Sequence, residues 1–233
     1  MQFLGVTITT VLISPANAYA IYFNDFESGE TTGWNTSTVG TTANGSFLGY
    51  YNNNENISLT LNNVEAGDYN INFDFFAIMT WDGQGISPGC CGPDYFKFLI
   101  NGEYFVDATF GGAFQSYSDD TPLGDGGLFS GSTDVDGYNV LGLTRPDGKI
   151  AVDKQYSMEF SYSHAGGDMI LQFIGDTSQA GSNYYNSGFA DEPWAIDNVS
   201  VSTLDASVPE PATILLLGTG LFGLAILRKK NKK

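Results

Sequence analysis

Apolar residues recur at every second position along much of this chain, and no helix-period segment of convincing length appears outside its two ends. In Asp68–Met79, DYNINFDFFAIM, the residues Tyr69, Ile71, Phe73 and Phe75 fall on one face and polar residues on the other, until Phe76. A period of two is the mark of a strand with one face buried. Asn56–Val64 repeats it through Ile57, Leu59 and Leu61. DYFKFLING followed by EYFVDATF reads as a hairpin turning at Asn101-Gly102, because two positive-φ residues suit the tight turn between twisted strands. Gln155–Ser163 and Asp168–Asp176 flank His-Ala-Gly-Gly and read as a second hairpin. Ala20–Glu27 supplies a first strand and Pro193–Leu204 a last one.

Abundant Gly, Asn, Ser, Thr and aromatic residues, without long Ala/Leu/Glu/Lys stretches, fit short strands joined by many turns. About eight antiparallel strands in one domain predict an all-β fold, an antiparallel β-sandwich of jelly-roll type. Residues 29–45, 80–93, 111–137 and 177–192 read as Gly/Asp/Ser/Asn-rich loops gathered at the ends of the sandwich.

The two ends follow other rules. Phe3–Ser14 is an apolar core leading into Pro-Ala-Asn-Ala-Tyr-Ala, so residues 1–20 read as a cleaved export signal, cut after Ala18 or Ala20, with a buried N-terminal strand as the alternative. No Lys or Arg precedes that core, which means a start further upstream or a weak signal. At the other end, residues 208–233 hold Pro209-Glu210-Pro211, an uncharged run from Ala212 to Leu227, and then Arg228, Lys229, Lys230, Lys232 and Lys233. As a helix the run is roughly 24 Å long, slightly short for a bilayer core of about 30 Å but able to span with snorkelling lysines. The basic cluster stays cytoplasmic and places residues 21–207 outside. Gly218-x-Gly220-x-x-Gly223 lies within the same run. It is followed by no acidic residue and no βαβ unit, so its glycines are packing positions and not a dinucleotide site.

This ordered triplet, helix and basic cluster resembles the PEP-CTERM sorting tail of Gram-negative bacteria. The resemblance implies an exosortase as processing partner, cleavage near Pro209–Pro211, a membrane-anchored precursor, and a destination at the cell surface or in an exopolysaccharide-rich matrix. It covers the last 26 residues or so and implies nothing about the chemistry of the remainder.

Between Ile21 and Ser207 four basic residues, Lys97, Arg145, Lys149 and Lys154, face 25 acidic ones. Nucleic acid is excluded as a partner, since its binding depends on cations that neutralise phosphates. The first strand with Asn-Asp-Phe-Glu and the last with Trp-Ala-Ile-Asp-Asn-Val-Ser-Val resemble the frame of jelly-roll carbohydrate-binding modules. In those modules a carboxylate near the first strand and an Asp in the last share a structural calcium. The resemblance therefore implies Glu27 and Asp197, with Asp25 close by, as calcium ligands, and carboxylate oxygens are what Ca²⁺ takes. The alternative is that Asp197 caps a turn and Glu27 is solvated. Asp134–Asn139, DVDGYN, begins like a calcium loop but lacks its later ligands and reads as a turn.

For sugar binding the candidates are Trp81 with Asp82 and Tyr184 with Tyr185, since flat rings cover the CH patches of a pyranose and the Asp accepts from its hydroxyls. Trp34 and Trp194 adjoin strands and read as core. Cys90 and Cys91 are the two cysteines, adjacent between Gly89 and Gly92; in an exported protein they predict a vicinal disulfide, with bonds to other chains as the alternative. The lone His164 sits in a turn, and neither a nucleophile elbow nor a compact glucanase carboxylate strand is present. The sequence thus reads as a non-catalytic, glycan-associated exported domain. The alternative is a polysaccharide hydrolase whose carboxylate pair the sequence does not locate.

Overall fold

The computed structural model describes residues 19–52, 55–83, 93–111, 128–144, 152–177 and 192–204. Ala20–Thr203 forms one compact unit. Its strands are β1 (Tyr19–Asn24), β2 (Val39–Thr42), β3 (Gly45–Tyr51), β4 (Asn56–Val64), β5 (Gly67–Ile78), β6 (Tyr95–Ile100), β7 (Glu103–Thr109), β8 (Leu128–Phe129), β9 (Ser132–Tyr138), β10 (Asp153–His164), β11 (Gly167–Asp176) and β12 (Trp194–Thr203). They make two antiparallel sheets. One has the order β2-β3-β12-β5-β10-β9 with β1 also paired to β12; the other runs β4-β11-β6-β7-β8. The described residues contain no helix long and apolar enough to cross a membrane, and the expected helix at 212–227 lies outside them.

The alternation read from the sequence sets which side chains meet. Tyr69, Ile71, Phe73 and Phe75 of β5 point at the second sheet, as do Tyr156, Met158 and Phe160 of β10. Their partners are rings from the facing strands. Phe73 lies 4.8 Å from Phe98 and 5.0 Å from Phe173, and Phe75 stacks on Phe96 at 4.0 Å. Offset and edge-on pairs of this kind add to the hydrophobic gain of burying so much ring area. Trp34 and Trp194 belong to this core, as expected. Trp34 also covers an edge: it bridges to Leu59, while Asn35 bonds Ser58 through both its N–H (2.9 Å) and its side chain (2.8 Å). The outer edge of β4 is thereby closed to further strand pairing.

Asn101 (φ 50°) and Gly102 (φ 82°) form the β6–β7 hairpin turn that Asn-Gly predicts. The second expected hairpin is different. β10 and β11 lie in different sheets, so the turn through Gly166 (φ 94°) is an arch that crosses the sandwich. β4 and β5 form a matching arch, and the two stack: β5 pairs with β10 while β4 pairs with β11. Three more expectations change. Residues 111–137, read as a loop, contain β8 and all but the last residue of β9. Residues 29–45 contain β2, which turns through Ala43-Asn44 into β3, and Asp134–Asn139 continues strand β9 through Tyr138 instead of forming a turn.

Phe76 breaks the alternation because a second, smaller core covers one end of the outer face of the larger sheet. Phe47, Phe76, Ile78, Met79, Leu141, Leu143 and Ala195 form it. The strap that carries Leu141 and Leu143 is fixed by buried Asp153, whose carboxylate accepts the N–H groups of Val140 (2.8 Å) and Leu141 (3.2 Å). Thr42 and Asn44 donate to the carbonyls of Leu141 (2.6 Å) and Val140 (2.8 Å). Phe73→Ala removes the ring on which both sheets converge. It is expected to cost about 3–5 kcal/mol, read as a lower denaturation midpoint in urea with an unchanged slope.

Candidate functional site

The first and last strands bring the two expected calcium carboxylates to one place. β1 ends in a turn in which Asn24 Oδ1 accepts the Phe26 N–H at 2.8 Å, and Phe26, at φ 53°, buries its ring against Trp34. That turn presents Glu27, whose Oε1 accepts the Ser46 N–H at 2.9 Å. Gly45 allows the approach: its φ is 139°, and a Cβ there would collide with Glu27 Oε1. In β12 a bulge between Asp197 and Ser200 turns Asp197 and Asn198 to the same outer face. Asp197 Oδ1 accepts the Asn198 N–H at 2.7 Å. Glu27 and Asp197, about 170 positions apart, line one cleft of about 80 Å³ with Asn44, Gln155, Leu141 and Asn198.

The cleft is acidic. Burial pushes the Asp197 carboxyl up to about 7 against the opposing Asn198 hydrogen bond, and the charges of Asp74, Glu27 and Asp25 push in the same direction. Asp25 therefore acts on Asp197 electrostatically, as a neighbour. Asp74 is the member that the sequence reading missed. It lies opposite Asp197 in the β5–β12 register, accepts from Asn198 Nδ2 at 2.8 Å, and accepts from the Ser157 hydroxyl.

A second group of carboxylates lies within the protein. Asp82, Asp94 and Glu192 are at most 2% exposed, and one oxygen from each lies within 4.8 Å of the others. Asp82 and Asp94 close the base of the intervening loop reciprocally. The Asp94 N–H donates to the Asp82 carbonyl and the Asp82 N–H to Asp94 Oδ2, both at 2.7 Å. Hard oxygens at this spacing are a donor set suited to a divalent cation. No local motif joins residues 82, 94 and 192, which meet only because the ends of β5, β6 and β12 adjoin.

This geometry corrects the sugar-platform reading of Trp81 and Asp82. Trp81 is fully buried, its ring edge-on to Phe75 at 5.2 Å and its indole N–H donating to the Pro193 carbonyl at 2.8 Å. Neither ring face is open to a pyranose, and Asp82 is buried beside it. Both side chains turn inward, the indole packing on the core at the end of the sandwich. Tyr184, Tyr185, Cys90, Cys91 and the triplet Pro209-Glu210-Pro211 lie outside the described residues.

The PEP-CTERM protein-sorting motif matches residues 207–230, directly after the last strand. The match implies an exported protein with a membrane-anchored precursor, sorted and processed by an exosortase. None of the curated proteins compared with the chain matches it.

Asp197 fixes the sign of a pH effect. Its folded value of about 7 lies above its ordinary 3.8, so the stability it contributes is complete below about 3.8 and is lost as pH rises through 7. Asp153, pushed up to about 6 by burial, acts in the same direction over a lower range. With chelator present, the melting temperature is expected to fall between pH 6 and pH 8. Asp197→Asn should flatten that fall, as measured by thermal melts in matched buffers.

Proposed function

We propose that residues 21–207 are a non-catalytic, exported sandwich of jelly-roll type that associates with extracellular polysaccharide and carries a divalent cation, calcium, between its terminal strands. The sorting motif at 207–230 carries the export half of this reading. The acidic surface supports a matrix location rich in divalent ions, and it disfavours anionic partners. The jelly-roll and calcium parts are supported by β1 pairing with β12 and by Glu27 and Asp197 lining one cleft. A cation there would tie the two ends of the domain and offset the repulsion of Asp197 by Asp74, Glu27 and Asp25. Non-catalytic use fits the engagement of the carboxylates in structural hydrogen bonds: Glu27 holds β3, Asp74 holds β10 and the bulge, and Asp153 holds the strap.

The processing half is tested by mass. Intact-mass analysis of the native protein should show a chain ending near Pro209–Pro211, recovered from the cell surface or the medium. Full-length chain ending in Lys233 and recovered only from the membrane would contradict it and leave a permanent anchor.

A further inference from the structure

The outer face of the larger sheet breaks a rule that strands otherwise keep. Strand positions are normally filled by β-branched and aromatic side chains, and Asp and Asn are depleted there. Here β5 turns Asp68, Asn70, Asn72 and the buried Asp74 outward, the positions between its core residues. Directly opposite on β10 stand Ser163, Ser161, Glu159 and Ser157. On the other flank, β12 sets Ser202 against Asn70 and Ser200 against Asn72. Three adjacent strands thus give up β-propensity over several successive rows. Conflict between local preference and adopted structure concentrates at functional surfaces.

The short side chains have two consequences. Apart from Glu159, which Asn70 ties down, they keep the face low, so that a ligand can lie across strands without meeting long side chains. They also build a lattice of hydroxyls, carboxamides and carboxylates held in position by cross-strand bonds. Asn70 Nδ2 donates to Glu159 Oε1 at 2.8 Å, the Ser161 hydroxyl donates to Asn70 Oδ1 at 3.2 Å, and Asn72 Nδ2 reaches Ser200 Oγ at 3.4 Å. None of these rows holds a Lys or Arg. The Lys154 side chain is buried, and Lys97 is on the other sheet, paired with Asp176 at 2.6 Å. At the margin, β1 turns Ile21 and the 60% exposed Phe23 outward, opposite in sense to its core-packed Tyr22.

We infer that this flat polar face, with Phe23 at its margin, binds an extended, uncharged polysaccharide strand. The inference rests on the polysaccharide-association reading above and names its surface. Hydroxyl-rich chains are matched by alternating donors and acceptors, and an apolar ring at the margin can cover the CH face of one sugar. A polyanion is disfavoured because, among the described residues, no cation on the face neutralises it.

The test is retardation of the full-length chain in gels containing a neutral glucan, a mannan, a galactan or alginate. Three variants accompany the wild type. Asn70→Ala with Asn72→Ala removes two rows. Ser161→Arg, at an exposed position, projects a long chain over the face. Thr60→Ala with Gln172→Ala, on the other sheet, is the control. At least one neutral polymer should retard the wild type and the control equally. Binding should fall roughly tenfold in the Ala pair, the scale of two or so lost hydrogen bonds, and at least as far in Ser161→Arg, whose chain obstructs the face, with melting temperatures near that of the wild type. If the Ala pair fails to fold, Ser161→Arg decides. Undiminished binding by the face variants overturns the assignment of this surface and leaves polysaccharide association standing. Retardation by alginate alone overturns the neutral-chain assignment, and retardation by none of the polymers overturns association as well.

Discussion

A domain with four basic and 25 acidic residues has few cations with which to neutralise a carboxylate that folding removes from water. Burying an unpaired charge costs several kcal/mol, so the placement of these groups governs much of the local structure. Each solution is visible. Asp153 accepts two backbone N–H groups and thereby fixes the strap over the outer face. Asp74 is held by Ser157 and Asn198, and Glu27 by the Ser46 N–H. Asp197 is crowded by three other carboxylates and is pushed up to about 7. Asp82, Asp94 and Glu192 are buried together, and Asp94 Oδ2 accepts the Asp82 N–H.

Cohesion comes from the rings. Phe73 and Phe75, at the centre of the larger sheet, meet Phe96, Phe98 and Phe173 across the interior, and Trp81 and Trp194 fill one end. The stacked arches β4–β5 and β10–β11 pass the chain twice between the sheets, so the same two arches build both halves of the core. The terminal strands β1 and β12 pair in the larger sheet and bring Glu27 and Asp197 together. Charge and packing therefore meet at the same strands.

The strands with clean alternation were legible in the sequence, because a period of two with aromatic residues has one solution: β4, β5, β10, β11 and β12 lie within a residue or two of where the pattern puts them. Asn101-Gly102 was legible for its turn chemistry. The arch at His164–Gly167 was not, since strands of one hairpin and strands of facing sheets carry the same inward pattern, and only partner choice separates them. β2, β3 and β9 escaped because Gly, Thr and Asp give them no apolar period, and Phe47 and Leu48 serve opposite faces of one sheet. At the site, Glu27 and Asp197 were reached through resemblance to sugar-binding modules. Asp74 is hidden in a regular strand row, and Glu192 lies almost a hundred residues from Asp94 with no local signal.

For an exported domain, a requirement for divalent cations would tie folding to the compartment in which those ions are abundant. The requirement is tested most directly by melting the full-length chain at pH 7.5 in EDTA and in millimolar calcium, with Asp197→Ala beside the wild type. Calcium a hundredfold above its Kd adds about 2.7 kcal/mol to a protein that binds it only when folded, which raises the melting temperature of a domain this size by roughly 5–10 °C. The wild type should show that rise and Asp197→Ala should lose it. Superimposable wild-type curves in EDTA and calcium would contradict a cation between the terminal strands.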